Sequence, residues 1–275
     1  METQSATELK IRKLYHYQAF DKPERLARLF TEGTIYFSNP KDFNDPWDCR
    51  PCFTKPTLDD PDEYERIVRW FVHCDRKCNT HLSESEHLQR EQWMRSNRKE
   101  LEGMINQTTP EMWQTIQKQY RVYCLSKHPD STLMWSHYAD SCKGLCLEFS
   151  VQNELFCGAL KIDYVEHYPA YSICATDDDA DIRQLLTKSD AWHYEDEFRV
   201  IASEHPYTFA DVPTTKQGFL PLPKDALQSV IVGALMPEAD RELVRSLVHG
   251  VGRNVKLKVA SIIPNRYAFE IHSLD

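Results

Sequence analysis

The sequence predicts an α+β protein, a sheet-rich core interrupted by a helical stretch, on three observations. Short apolar and aromatic runs of strand character occur toward both ends of the chain, and between about residues 58 and 119 the sequence becomes charged and helix-forming, with amphipathic stripes. Asn, Asp, Pro and Gly punctuate the runs as turns. With 275 residues and 41% hydrophobic content, the chain is long enough to bury a sizeable core. We read residues 1–275 as a single domain, with a sheet core in 14–57 and 120–275 and a helical insertion or lid over 58–119.

Leu14-Tyr15-His16-Tyr17 has the aromatic alternation of a strand. Pro23 opens a helix with Leu26, Leu29 and Phe30 at helical spacing, and Gly33 closes it. Thr34 to Phe37 forms a second strand, giving a βαβ-like opening. Ser38-Asn39-Pro40 and Asn44-Asp45-Pro46 follow as a turn-rich loop, because Asn and Asp bond their own backbone and Pro stops continuation. Such a loop is either a rigid turn at the sheet edge or a pocket wall.

In the helical stretch, Tyr64, Ile67, Val68 and Phe71 make one apolar stripe. Trp93, Met94, Leu101, Met104 and Ile105 make a second, and Trp113 and Ile116 a third. Its Arg90, Arg95, Arg98 and Lys99 read as a solvated face balanced by Glu91 and Glu100, the alternative being a surface for a phosphate-bearing partner. Strand character returns over residues 121–126. Asp130 or Ser131 caps a helix carrying Leu133, Met134, Trp135, His137 and Tyr138. Strands follow at 145–149 and 159–165, then a helix near 182–186, strands at 219–222, 229–232, 256–262 and 267–272, and a helix over 237–248.

The stretch from Trp192 to Arg199, W-H-Y-E-D-E-F-R, leads three rings into two carboxylates and an arginine, just ahead of the apolar run Val200-Ile201-Ala202. In an extended segment Glu195, Glu197 and Arg199 share one side and Phe198 and Val200 the other. Paired carboxylates raise each other's pKa and an arginine lowers both, so the cluster is either a tunable site or an ion-pair ladder at a strand start.

A formal net charge of −9 disfavours nucleic acid and anionic membrane as partners unless a local basic patch exists. No stretch has the length of a membrane span and the first residues lack the apolar core of a signal peptide, so a cytoplasmic protein is expected. Nine cysteines without a secretion signal read as reduced thiols. Cys49 and Cys52, with Cys74 and Cys78, have spacing that could hold zinc, but the second pair falls on a helix whereas zinc ribbons carry both pairs on knuckles, and no metal is expected. Dinucleotide, P-loop, zincin and nucleophile-elbow motifs are all absent, and only eight glycines are present.

The runs L-Y-H-Y, T-I-Y-F-S-N-P-K-D-F-N-D-P-W-D, L-M-W-S-H-Y-A-D-S-C-K-G-L-C-L-E-F, W-H-Y-E-D-E-F-R and S-V-I-V-G-A-L-M resemble a bacterial family known as domain of unknown function 2971, over nearly the whole chain. More distantly, the order of a histidine strand, helix, glycine, strand, aromatic helix and a glutamate opening a late strand is similar to the ADP-ribosyltransferase superfamily. That likeness implies a split β-sheet core, here with a helical insertion, holding NAD as substrate.

It further implies that His16 meets the adenosine ribose or an amide of NAD, with Tyr17 beside it, and that Tyr123 or Ser126 fills the central position. Tyr138 and Trp135 would give the nicotinamide an aromatic pocket. Glu197 would be the catalytic carboxylate, Glu195 the other half of an E-x-E and a general base, and Arg199 would hold the carboxylates ionised or bind pyrophosphate. The implied activity is ADP-ribosyl transfer to an unknown acceptor macromolecule, or NAD hydrolysis if water accepts, in phage defence or as a toxin. The alternative is a non-catalytic nucleotide- or protein-binding module whose polar cluster is structural.

Overall fold

The computed structural model describes residues 3–50, 52–54, 57–172, 180–205, 212–250 and 254–274. It is an α+β protein, and the described residues form a mixed eight-stranded main sheet and three two-stranded sheets. In chain order the first half comprises β1 (Lys13–Gln18), α1 (Pro23–Thr31), β2 (Thr34–Tyr36), β3 (Cys52–Thr54), α2 (Pro61–Cys78), α3 (Glu84–Ser96), α4 (Arg98–Gln119), β4 (Tyr120–Ser126), α5 (Thr132–Tyr138) and β5 (Leu145–Ser150). The second half comprises β6 (Leu160–Lys161), β7 (Asp163–Val165), β8 (Ala170–Ser172), α6 (Ala180–Arg183), β9 (Thr187–Ser189), β10 (Glu197–Ser203), β11 (Phe219–Pro221), β12 (Leu227–Val232), α7 (Glu238–Gly250), β13 (Lys256–Ile262) and β14 (Phe269–Ser273).

The main sheet runs β14-β13-β12-β5-β1-β4-β10-β6. All its neighbours are antiparallel except β12 and β13. Alternation sorts each strand between two cores. Leu14, Tyr123, Leu125, Leu147, Phe149, Phe198 and Val230 pack with Leu26, Leu29 and Phe30 of α1 and Val244 and Val248 of α7. On the opposite face Tyr17, Cys146, Ile231 and Ala260 pack with Met134 and Trp135 of α5.

The opening is not a βαβ unit. β1 is antiparallel to both its neighbours, and the three-residue β2 pairs outside the main sheet with β11, Tyr36 opposite Phe219 with ring centroids 5.2 Å apart. Gly33 does end α1, in the left-handed region at φ 63°. The expected strand over 159–165 is two short strands, because Ile162 turns its amide onto the Glu197 carbonyl at 2.9 Å between them.

Helices α2, α3 and α4 intervene between β3 and β4, and α2 and α4 share a small core of Ile67, Val68, Phe71, Leu101 and Ile105 with Met94 of α3. The side chains of Trp113 and Ile116 lie outside the described residues. Of the basic side chains singled out on this unit, three form ion pairs, Arg90 with Asp75, Arg95 with Glu65 and Glu91, and Arg98 with Asp59; among the described residues Lys99 forms no such pair. Among the described residues no helix is long and apolar enough to cross a membrane.

Candidate active site

The W-H-Y-E-D-E-F-R stretch is not extended throughout. Ser189 accepts a hydrogen bond from the Ala191 amide and caps a 3-10 turn over Asp190–Glu195, which ends at Asp196 in the left-handed conformation, φ 41° and ψ 56°. Aspartate tolerates that region better than most residues because its short side chain bonds locally. β10 begins only at Glu197, so Glu197 and Arg199 share a strand face as expected, whereas Glu195 arrives by the turn folding back on the strand.

The two glutamates meet at a lysine. Lys188 of β9, 6% exposed, donates to Glu195 Oε2 at 2.5 Å and Glu197 Oε2 at 3.0 Å and lies 3.6 Å from Asp48 Oδ2. Arg199, completely buried, grips Asp48 with both Nη atoms at 2.9 and 2.6 Å. It also donates from Nε to Glu197 Oε1 at 2.7 Å and from Nη1 to the Leu185 carbonyl at 2.7 Å. Tyr138 donates its hydroxyl to Glu195 Oε1 at 2.6 Å. Three buried carboxylates therefore share two buried cations, with one oxygen of Glu195 turned toward a phenol.

This arrangement pushes the two glutamates apart. Burial drives both carboxyls up, and for Glu195 it prevails over Lys188, raising the group to about 7. At Glu197 the Arg199 guanidinium and the Lys188 ammonium overcome burial and hold the carboxyl well below its usual range. Burial opposes charge on Lys188 too, but Glu197, Asp48 and Glu195 together raise its pKa. Near neutral pH the dyad holds an ionised Glu197 and a Glu195 poised to gain or lose a proton.

Sheet register brings a row of side chains to this face. Tyr15 lies opposite Ser126, and Ser126 opposite Glu197, on three adjacent strands. Ser126 donates to the Glu195 carbonyl at 2.7 Å and accepts from the His128 amide. β1 is fully paired with β5 from Lys13 to Gln18, but its register with β4 consists of Tyr15 and Ser126 alone. Beyond that pair the strands part, and Ser38 takes the β4 edge at Val122 by two 2.9 Å backbone hydrogen bonds.

No protein-family model, curated protein or solved structure matches the chain.

Of the residues singled out in the sequence, the structure gathers Glu195, Glu197, Arg199, Ser126 and Tyr138. His16 stands apart. It lies on the α1 side of the sheet, stacked on Tyr123 at 4.3 Å, and its Nδ1 is 2.8 Å from the Cys124 carbonyl in the gap between β1 and β4. Burial lowers its pKa to about 4, so it is a neutral ring donating from Nδ1. Tyr123 is buried among Phe37, Phe149 and Phe156. Trp135 is fully buried, edge-on to Tyr17 at 5.2 Å, with its indole N–H on the Pro129 carbonyl, and Tyr17 donates to the His128 carbonyl. Tyr17 and Trp135 thus pack on each other, while His16 and Tyr123 both line a cleft beside α1. Tyr15 and Tyr17, two residues apart, are the first-strand rings on the Glu197 face, and Tyr15 is the one in register with Ser126.

Sequence reasoning passed over Asp48 and Lys188. Asp48 is visible only as the end of N-D-P-W-D, and Lys188 only as a cation between Thr187 and Ser189. The nearby Cys49 is buried with its sulfur 3.1 Å from Arg199 Nη1, while Cys74 and Cys78 lie on α2. Among the described residues no three His, Cys, Asp or Glu side chains are grouped to hold a metal ion.

Proposed function

We propose that the chain is an ADP-ribosyltransferase-like enzyme that cleaves the nicotinamide–ribose bond of NAD and transfers ADP-ribose to an acceptor. The observation that carries this reading is the row Tyr15, Ser126 and Glu197 across β1, β4 and β10, at the place where β1 and β4 part. The superfamily likeness expects a first-strand histidine or arginine, a central tyrosine or serine and a glutamate at the start of a late strand beside an opening in the sheet; here Ser126 and Glu197 take the last two places and Tyr15 stands in the first. The motif resemblance to family 2971 is compatible with it and adds no chemistry of its own.

The residues supply the chemistry in a defined division. As the bond from ribose C1′ to nitrogen breaks, its electron pair leaves on nicotinamide and positive charge develops on the sugar. The ionised Glu197 stabilises that charge. The acceptor's lone pair forms the new bond at C1′, and its proton passes to Glu195, whose pKa near 7 suits proton transfer at neutral pH. Tyr138 and Lys188 orient Glu195, and Arg199 keeps Glu197 ionised while tying it to Asp48. With water as acceptor the same steps give hydrolysis.

A second reading is favoured by the saturation of the cluster. Lys188 and Arg199 hold Asp48, Glu195 and Glu197 as a clamp between the 45–50 loop, β9 and β10, which would serve a non-catalytic nucleotide- or protein-binding module equally well. Nicotinamide release from NAD by purified protein, wild type beside Glu197→Gln, with and without cell lysate, separates the two. The enzyme reading expects release that falls at least about 100-fold in a folded variant. Dependence on lysate would mark a transferase. A folded wild type that releases none under either condition would sink the enzyme reading and leave the binding module.

A further inference from the structure

A second site lies behind the charge cluster. A cavity of about 290 Å³ opens at the surface between Trp47 and Tyr168 and ends on Asp48 and Lys188. Its volume is at the lower end of ligand pockets, enough for one ring system with a small substituent and too small for a dinucleotide.

Trp47 is 64% exposed, the most exposed tryptophan among the described residues, and Tyr168 is 49% exposed. An indole left in water contributes little to a core, yet this one sits on a rigid mount. Asp45 Oδ1 accepts from the Trp47 amide at 2.9 Å, the Asp48 amide bonds the Asp45 carbonyl, and Asp48 is clamped by Arg199. A fixed backbone beneath an exposed ring lowers the ordering cost of binding, and exposed aromatics on such platforms stack with planar ligands.

The polar wall narrows the ligand class. The Gln184 amide, the Ser189 hydroxyl and the Glu166 carboxylate line the pocket, and Arg50 and Lys188 offset Asp48 and Glu166. Balanced charge gives no preference for a polyanion, in keeping with the net charge of −9. A benzene or phenol ring would leave this wall without edge partners, whereas a heteroaromatic ring carries donors and acceptors around its edge.

We propose that the pocket between Trp47 and Tyr168 binds a neutral planar heteroaromatic ring of nucleoside size, stacked against the exposed aromatics with its edge toward Gln184 and Glu166. The proposal does not depend on NAD chemistry. Because Lys188 both lines the pocket and bonds Glu195, the ligand sits one side chain away from the dyad.

Calorimetric titration of the whole chain with adenosine, guanosine, cytidine and uridine, with N-acetyltryptophanamide and the corresponding 5′-monophosphates alongside, tests it. Saturable binding of at least one nucleoside is expected, weakened about 5- to 150-fold by Trp47→Ala and by Tyr168→Ala, as for loss of one stacking partner, and unchanged by Trp93→Ala on the helical unit. Thermal denaturation of each variant confirms the fold. Binding of N-acetyltryptophanamide alone would overturn the nucleoside assignment in favour of an aromatic peptide side chain, and tighter binding of the monophosphates than of every nucleoside would overturn the neutral-ligand argument. No saturable binding, or nucleoside binding that survives both alanine variants, would overturn the site.

Discussion

Replacing Lys188 with Met keeps most of the aliphatic stem and removes the charge that joins Glu195, Glu197 and Asp48. Lys188 is 6% exposed, and its three carboxylate neighbours are 2–4% exposed, so solvent screening is slight. Asp48 and Glu197 would then share Arg199, and Glu195 would lose its ion-pair partner. Removing one partner of a buried ion pair costs roughly 3–5 kcal/mol, a large part of the roughly 5–15 kcal/mol that holds a typical domain. The loss has a definite pH dependence. Glu195, raised by burial to about 7, favours the folded state in its protonated form, so its contribution is full below about pH 4.5 and is lost as pH rises through 7.

Taking away the cation makes ionised Glu195 costlier still, so Lys188→Met should lose the full amount at pH 8 and roughly 1 kcal/mol less at pH 5.5, where Glu195 is protonated in either protein. Urea denaturation at the two pH values measures both numbers, with an unchanged slope confirming the same folded and unfolded states. Adding Glu195→Gln to Lys188→Met should recover on the order of 0.5–3 kcal/mol at pH 8, the coupling range of contacting charges. A loss below about 1 kcal/mol at pH 8, with no recovery in the double variant, would refute the account of the cluster as an interdependent buried network.

Two glycines predict opposite responses to the same change. A Cβ on Gly144 would lie 2.3 Å from the Gln18 carbonyl oxygen, so Gly144→Ala should destabilise by about 1–3 kcal/mol or more. Gly103, in α4, has nothing within 4 Å of that position, and Gly103→Ala should stabilise by about 0.5–1 kcal/mol; thermal melting of both reads the contrast, and equal effects would refute it. His16, lowered by burial to about 4, stabilises the fold as a neutral ring, so that contribution is full above about pH 6.5 and is lost as pH falls toward 4. His16→Asn keeps a donor for the Cys124 carbonyl and cannot titrate, so its stability should fall less steeply over that range, and parallel pH curves for the two proteins would show that His16 does not titrate as the structure implies.

Much of the fold was legible locally because strand and helix periods are properties of consecutive residues. The alternation of Leu14 to Tyr17, the stop at Gly33, the stripe through Ile67, Val68 and Phe71 and the run from Lys256 to Ile262 all became elements close to where the sequence places them. The short strands β3, β8 and β9 carried too few residues to show a period. The extended reading of Glu195 to Arg199 failed at Asp196, where one left-handed residue reverses the chain, and nothing in E-D-E announces that conformation.

The site followed the same division. The sequence by itself determined that Glu197 and Arg199 would share a face at the head of an apolar strand, since those positions are two residues apart in one strand and need no partner from elsewhere, whereas Glu195 joins them only through the turn at Asp196. Only the tertiary structure decided what surrounds them. Asp48 reaches Arg199 across 151 positions, Lys188 enters from a three-residue strand, and the register of β1, β4 and β10 sets Tyr15, rather than His16, on the face of Glu197. A one-residue difference in register exchanges the two faces of a strand, and the register is fixed by burial of the whole sheet, not by the residues that would use it.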